Sequence, residues 1–301
     1  MEFSKLVELT LKLFSMNKIQ QQRRRFIKSS AFGLIGITAF GSSSAQGMMN
    51  NIELGNSAEP LFYRYPGIND SMASGIVGAS HGNFDKVKEL VTARPELAGA
   101  SWDWGFGDWE TALGAASHVG RRDIAEFLMA HGARPDIFTY TMMGMLKSVQ
   151  EIIETVPGIQ SHAGPHGITL LQHAKNRLEN KDIAAPDAAN VIKVISYLES
   201  LGNADVKPKS LDVTEEEKKK YAGEYRFGNG EAEIFVVDTH RQGFLQIGRK
   251  GSSPRKLNKI DEGSFSPAGA PSVKIIFKIQ NDKAVSLSVH EPEPLVTAVR
   301  I

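Results

Sequence analysis

The chain changes its hydrophobic rhythm twice. From about residue 71 to residue 205, apolar residues recur at the three- and four-residue spacing of helices with one buried face. Residues 46–70 before this stretch are polar, with Asn50, Asn51, Asn56, Ser57 and two prolines, and read as a tether. Residues 206–213, with Pro208, read as a linker. Thr214 with Glu217 three residues on is a capping-box start for a short helix that runs toward Tyr221 and Tyr225. The rhythm then shortens to strand-like runs at 232–238, 243–248, 255–260, 273–280, 285–290 and 296–301. Turn signals separate them at Gly228-Asn229-Gly230, Arg241-Gln242-Gly243, Asp261-Glu262-Gly263 and Asn281-Asp282-Lys283. Short strands so spaced predict a small antiparallel barrel or sandwich over 214–301.

The helical stretch repeats. Its clearest copy runs Thr111-Ala112-Leu113, Ala115-Ala116, Gly120, Asp123-Ile124-Ala125, Phe127-Leu128 and Gly132-Ala133. Small residues at 115 and 116 let two antiparallel helices approach, and Gly120 suits a tight turn. Leu113, Ile124, Phe127 and Leu128 form the stripe that a neighbouring copy would bury. Other copies keep the offsets from their glycines: Gly82 with Val87 and Leu90, Gly144 with Val149 and Ile152. A fourth starts at Gly167 with Thr169, Leu170, Leu171 and Ala174, and residues 177–188 read as an insert before its second helix. The third, with Met142, Met143 and Met145, is the weakest. This pattern resembles the ankyrin repeat, with Ala112 where that family has Pro and Gly114 where it has His. The resemblance covers about four copies over residues 71–205 and implies a stacked array that binds macromolecules through its loop tips and inner helices. The fold class expected is therefore α+β multidomain: an ankyrin-type helical array followed by a small β barrel or sandwich.

The tail carries Tyr221, Gly223 and Tyr225, then Gly243, Leu245 and Ile247, then Phe265 and Phe277, and ends in Arg300-Ile301. It resembles the lipocalin-like β domain appended to many bacterial hydrolases of the serine β-lactamase type. The hydrolase itself has no counterpart here. The Ser-x-x-Lys spacing occurs only as Ser15 and Lys18, and no Gly-x-Ser-x-Gly, His-Glu-x-x-His or Walker loop is present. Tyr221 and Tyr225 are expected in the core.

Residues 1–45 read as a leader. Arg23, Arg24 and Arg25 precede Phe26-Ile27-Lys28, a short apolar stretch and the small residues Ser43-Ser44-Ala45. The run resembles a twin-arginine export signal, which implies a folded cargo and a periplasmic location. Met16 reads as a better start than Met1.

Composition narrows the chemistry. The absence of Cys excludes disulfides, thiolate metal sites and a Cys nucleophile. The leader holds seven Lys and Arg against two Asp and Glu, so the +1 chain leaves an acidic body, which argues against nucleic acid as partner. All three tryptophans, Trp102, Trp104 and Trp109, sit with Phe106 in one glycine-rich link. This reads as a projecting loop with binding anchors. Ser80, His81, Ser117 and His118, at corresponding helix ends, read as a polar rim. His162, His166 and His173 gather near the fourth copy, but no carboxylate stands at a recognisable ligand spacing, so no metal, cofactor or catalytic residue is assigned. The function expected is non-enzymatic recognition of a protein partner in the cell envelope. The alternatives are small-ligand binding by the β domain, or an accessory subunit or enzyme with an unrecognised site between array and barrel. That last reading requires a pocket with converging histidines and carboxylates. Replacing all three tryptophans by alanine is expected to remove partner binding and leave the fold intact.

Overall fold

The computed structural model describes residues 67–301. The leader and most of the tether lie outside the described residues. Among the described residues no helix is long and apolar enough to cross a membrane.

The first half consists of helix pairs: α1 (Asp70–Ser80) with α2 (Phe84–Ala93), α3 (Ala112–His118) with α4 (Arg122–Ala130), α5 (Ile137–Met142) with α6 (Leu146–Thr155), and α7 (Leu170–Leu178) with α8 (Ala185–Leu201). Asn69, Asn83, Thr111, Asp136 and Thr169 start α1, α2, α3, α5 and α7 by accepting a backbone N–H on their side chains. The first members of the pairs stack in the order α1, α3, α5, α7. Ala115 and Ala116 are fully buried at that seam, and Val87, Leu113, Ile124, Leu128 and Val149 fill the space behind it. Gly120 has φ of 73°, and a Cβ there would lie 2.8 Å from the Arg177 Cα, so both turn and packing require glycine. The expected insert over 177–188 shrinks to 179–184, because Pro186 sits in the first turn of α8, where its missing N–H costs nothing.

The Trp-rich link, expected to project as a loop, is a two-stranded antiparallel ribbon of β1 (Ser101–Asp103) and β2 (Trp109–Thr111).

The second half opens with α9 (Glu215–Tyr221), started by the expected Thr214–Glu217 capping box. Eight strands follow: β3 (Gly223–Arg226), β4 (Ile234–Thr239), β5 (Leu245–Arg249), β6 (Arg255–Asp261), β7 (Ser264–Pro267), β8 (Lys274–Gln280), β9 (Lys283–Glu291) and β10 (Glu293–Arg300). They close as an antiparallel barrel in the order β10-β3-β4-β5-β6-β7-β8-β9. Two strands differ from expectation. Residues 223–226 leave the helix to become β3, because the barrel closes through the pairs Arg300↔Tyr225 and Val299↔Arg226. β7 is too short to show a period of its own. Asn281 and Asp282, both at positive φ, make the tight β8–β9 turn. Tyr221, Tyr225, Phe265, Ile247 and Ile275 fill the interior, as expected for the tyrosines. The Tyr225 hydroxyl donates to the Tyr221 carbonyl, and the Arg300 guanidinium donates to the carbonyls of Lys220, Ala222 and Ala284, locking the last strand to the helix.

Candidate metal centre

The ribbon brings the chemistry together. From Asp108, just before β2, into the strand side chains alternate sides, so Asp108 and Glu110 point one way and Trp109 the other. Both carboxylates are buried, whereas Trp109 is 64% exposed. The turn joining the strands is built from three consecutive residues at positive φ: Gly105 at 110°, Phe106 at 62° and Gly107 at 80°. The Asp103 carboxylate accepts the Gly105 N–H at 2.8 Å and steadies it.

Three histidines meet these carboxylates. His81 caps α1 and His118 ends α3, and the stacking of those helices sets their rings 4.9 Å apart. His166 arrives from the short turn before α7, held at φ of 61°. Asp108 grips it twice: Oδ1 accepts the His166 backbone N–H at 2.9 Å, and Oδ2 lies 2.6 Å from Nδ1. Glu110 Oε1 lies 2.8 Å from His118 Nδ1, and Oε2 lies 3.4 Å from Nε2 of both His81 and His166. The Trp104 indole N–H donates to Glu110 Oε2 at 2.7 Å.

Several features suit a metal ion. One donor atom from each of His81, Glu110, His118 and His166 lies within 4.8 Å of the others. Bonds of about 2.1 Å to a tetrahedral ion place its donors about 3.4 Å apart, close to the spacings from Glu110. His81 Nδ1 faces the carbonyls of Val77 and Gly78 at 3.1 and 3.3 Å; carbonyls only accept, so Nδ1 carries the proton and Nε2 offers a lone pair to the cluster. For His166 the Asp108 carboxylate does the same, the outer contact that orients metal-ligating histidines. Glu110 Oε1 and His118 Nδ1 are fully buried yet form no aligned hydrogen bond, although they are close. Their unmet polarity is what an ion would satisfy.

Without an ion the cluster pairs its own charges. Burial works against the charge on Glu110, but His118 and His166 outweigh it and hold the carboxyl well below the usual range. Burial also opposes charging of His166, yet its contacts with Asp108 and Glu110 raise it to about 9, so in the ion-free cluster it is an imidazolium and a metal must displace its Nε2 proton. Burial lowers His81, against a smaller opposing pull from Glu110. His173, behind His118, is pushed by burial to about 4; it stays neutral, and its Nδ1 lies 2.8 Å from the Thr169 carbonyl.

The barrel reaches this cluster through Arg255, whose Nε lies 3.1 Å from Asp108 Oδ2 and whose guanidinium sits 5.5 Å from the Trp104 ring centre. Gly269, at φ of 87°, leaves room for Asp108; a Cβ there would fall inside the carboxylate. Beside the cluster a cleft of about 1210 Å³ opens between the ribbon, α1 and the barrel mouth, with Trp104 and Arg255 in its wall.

The residues singled out from sequence divide. His81 and His118 enter the cluster. Trp102 and Trp104 pack against the helical core and Phe106 against the barrel core, so of these aromatics only Trp109 projects. Ser80 and Ser117 form no rim: they are fully buried, with hydroxyls donated to the Ile76 and Leu113 carbonyls of their own helices. His162 takes no part in the donor set. Sequence reasoning missed Asp108, Glu110 and Arg255 because the donors come from separate stretches that no linear spacing connects. The usable signal was the Asp-x-Glu alternation inside the Trp-rich link. Comparison with family models, curated proteins and solved structures finds no match to this chain.

Proposed function

We propose that this protein is an exported, metal-loaded binding protein in which one zinc-class ion fixes the tryptophan-bearing ribbon as a wall of a ligand cleft. The observation that carries this reading is the convergence of His81, Glu110, His118 and His166, with two buried donor atoms left without aligned partners. Three imidazoles and a carboxylate, with no thiolate, suit zinc among the first-row ions. Four protein donors saturate a tetrahedral ion, which favours a closed, structural centre over one that activates water. The ion would join helix ends of two pairs, the ribbon and the turn before α7, and hold in place the loop that touches the barrel.

The stacked helix pairs, the buried alanine seam and Gly120 support the ankyrin-type reading of residues 71–205. A twin-arginine leader fits the same picture, because that route accepts chains folded and loaded before export into the periplasm. Trp109 and Leu295, both more than 60% exposed at the cleft rim, favour a protein partner as a second occupant of this face.

Metal analysis tests the proposal. The full chain, stripped with chelator and reloaded, is expected to retain one zinc per chain after gel filtration, and His118→Ala or His166→Ala to retain none. Retention below a tenth of an ion by a well-folded wild-type chain would overturn it.

A further inference from the structure

The cleft beside the cluster runs into the open end of the barrel. Its floor is formed by Phe235, Ile247, Val273, Val289 and Val296, the inward side chains at that end. Phe106, which does not belong to the barrel, packs there: its ring lies 5.9 Å from that of Phe235 at an angle of 25°. It is delivered by the Gly105-Phe106-Gly107 turn, in a left-handed conformation that strains a phenylalanine. The protein's own residue thus shows what the barrel mouth accepts, a flat ring stacked on Phe235.

Arg249 supplies the second element. It pairs across the ladder with Phe235, and paired residues face the same side, so its side chain is directed at the mouth. It lines the cleft, and among the described residues its guanidinium has no ion-pair partner. The cleft's carboxylates Asp70, Glu96 and Asp103 stand on the helical side, and Glu291 on the barrel side receives the Ser272 hydroxyl. Arg249 and Arg255 stand together on the β5–β6 side, where Arg255 already engages Asp108.

We propose that the barrel mouth binds a small molecule with a ring-bearing apolar body and a carboxylate. The ligand ring and Phe106 compete for the same seat on Phe235, and the carboxylate pairs with Arg249. This rests on the cleft being the ligand site and is independent of which ion, if any, fills the cluster.

The three tryptophans all line the cleft and report on it by fluorescence. The full chain is titrated with 3-phenylpropanoate and with 3-phenylpropanamide, and its zinc content is measured in the same samples. Saturable binding is expected, at least fivefold tighter for the acid than for the amide. Arg249→Gln, an exposed substitution, is expected to erase that preference. Phe106→Ala is expected to tighten both ligands at least fivefold by removing the competitor. Absence of saturation in both wild type and Phe106→Ala would overturn the proposal, as would an acid preference that survives Arg249→Gln. If Phe106→Ala does not fold, the acid-to-amide ratio in wild type and Arg249→Gln decides alone. Normal zinc content without ligand binding refutes this inference alone, and ligand binding without zinc refutes only the metal reading.

Discussion

Glu110→Gln separates a metal centre from a buried ion-pair network. Glutamine keeps the shape of Glu110, can still accept the Trp104 indole N–H, and can donate to the unpaired His118 Nδ1. His166 keeps Asp108 at 2.6 Å as its charge partner. Those contacts are kept in metal-free protein, but the charge that His118 and His166 hold on the carboxylate is lost, so stability is expected to fall by up to about 3–5 kcal/mol. In zinc the outcome differs. Structural zinc sites bind with about 10–16 kcal/mol, and about 12 kcal/mol corresponds to a Kd of about 1 nM. At about 1 µM free zinc such a site stabilises the fold by about 4 kcal/mol. For a body of this size that is about 8–16 °C in Tm. Loss of the carboxylate at a cost of about three decades of affinity leaves about 0.4 kcal/mol, or about 1–2 °C. The assay is thermal unfolding of both proteins, stripped and in buffered zinc. If zinc does not raise the wild-type Tm, and the cost of Glu110→Gln is the same with and without zinc, the cluster is an ion-pair network and the reasoning fails.

Asp108→Asn, which weakens the outer grip on His166, is expected to lower zinc affinity about 10- to 100-fold in a competition titration against a chelating dye. Gly269→Ala, at positive φ and against the Asp108 carboxylate, should destabilise by about 1–3 kcal/mol in urea unfolding and weaken zinc binding with it. Tyr225→Phe strips the Tyr221 carbonyl of its donor and should cost about 1–2 kcal/mol by the same assay. Trp109→Ala should change stability by no more than about 0.5 kcal/mol, because the side chain is mostly in solvent. The triple tryptophan variant should instead lose the ribbon on heating or in limited proteolysis, because Trp102 and Trp104 pack on the helical core, contrary to the expectation from sequence.

What the sequence determined by itself was local. Side-chain periodicity marks which faces must be buried, so the helix pairs, the small seam at Ala115 and Ala116, the capping box at Thr214 and six of the eight barrel strands were legible. So was the turn at Gly120, because a positive φ leaves its mark on residue type. Histidines at the ends of stacked helices could be expected to meet, and His81 and His118 do. Tertiary structure decided the rest. β3 exists because β10 needs a partner to close the barrel, a long-range pairing that a four-residue segment cannot announce. Ser80 and Ser117 looked like a rim because nothing in one strand of sequence says that a helical hydroxyl will turn back to its own carbonyl. The aromatic loop folded inward because both neighbouring cores offered it apolar surface. Above all, Glu110 and Asp108 became candidate metal-site residues only when the ribbon, two helix ends and the turn before α7 met. A donor set is a relation among positions in space, and chain order carries no record of that distance.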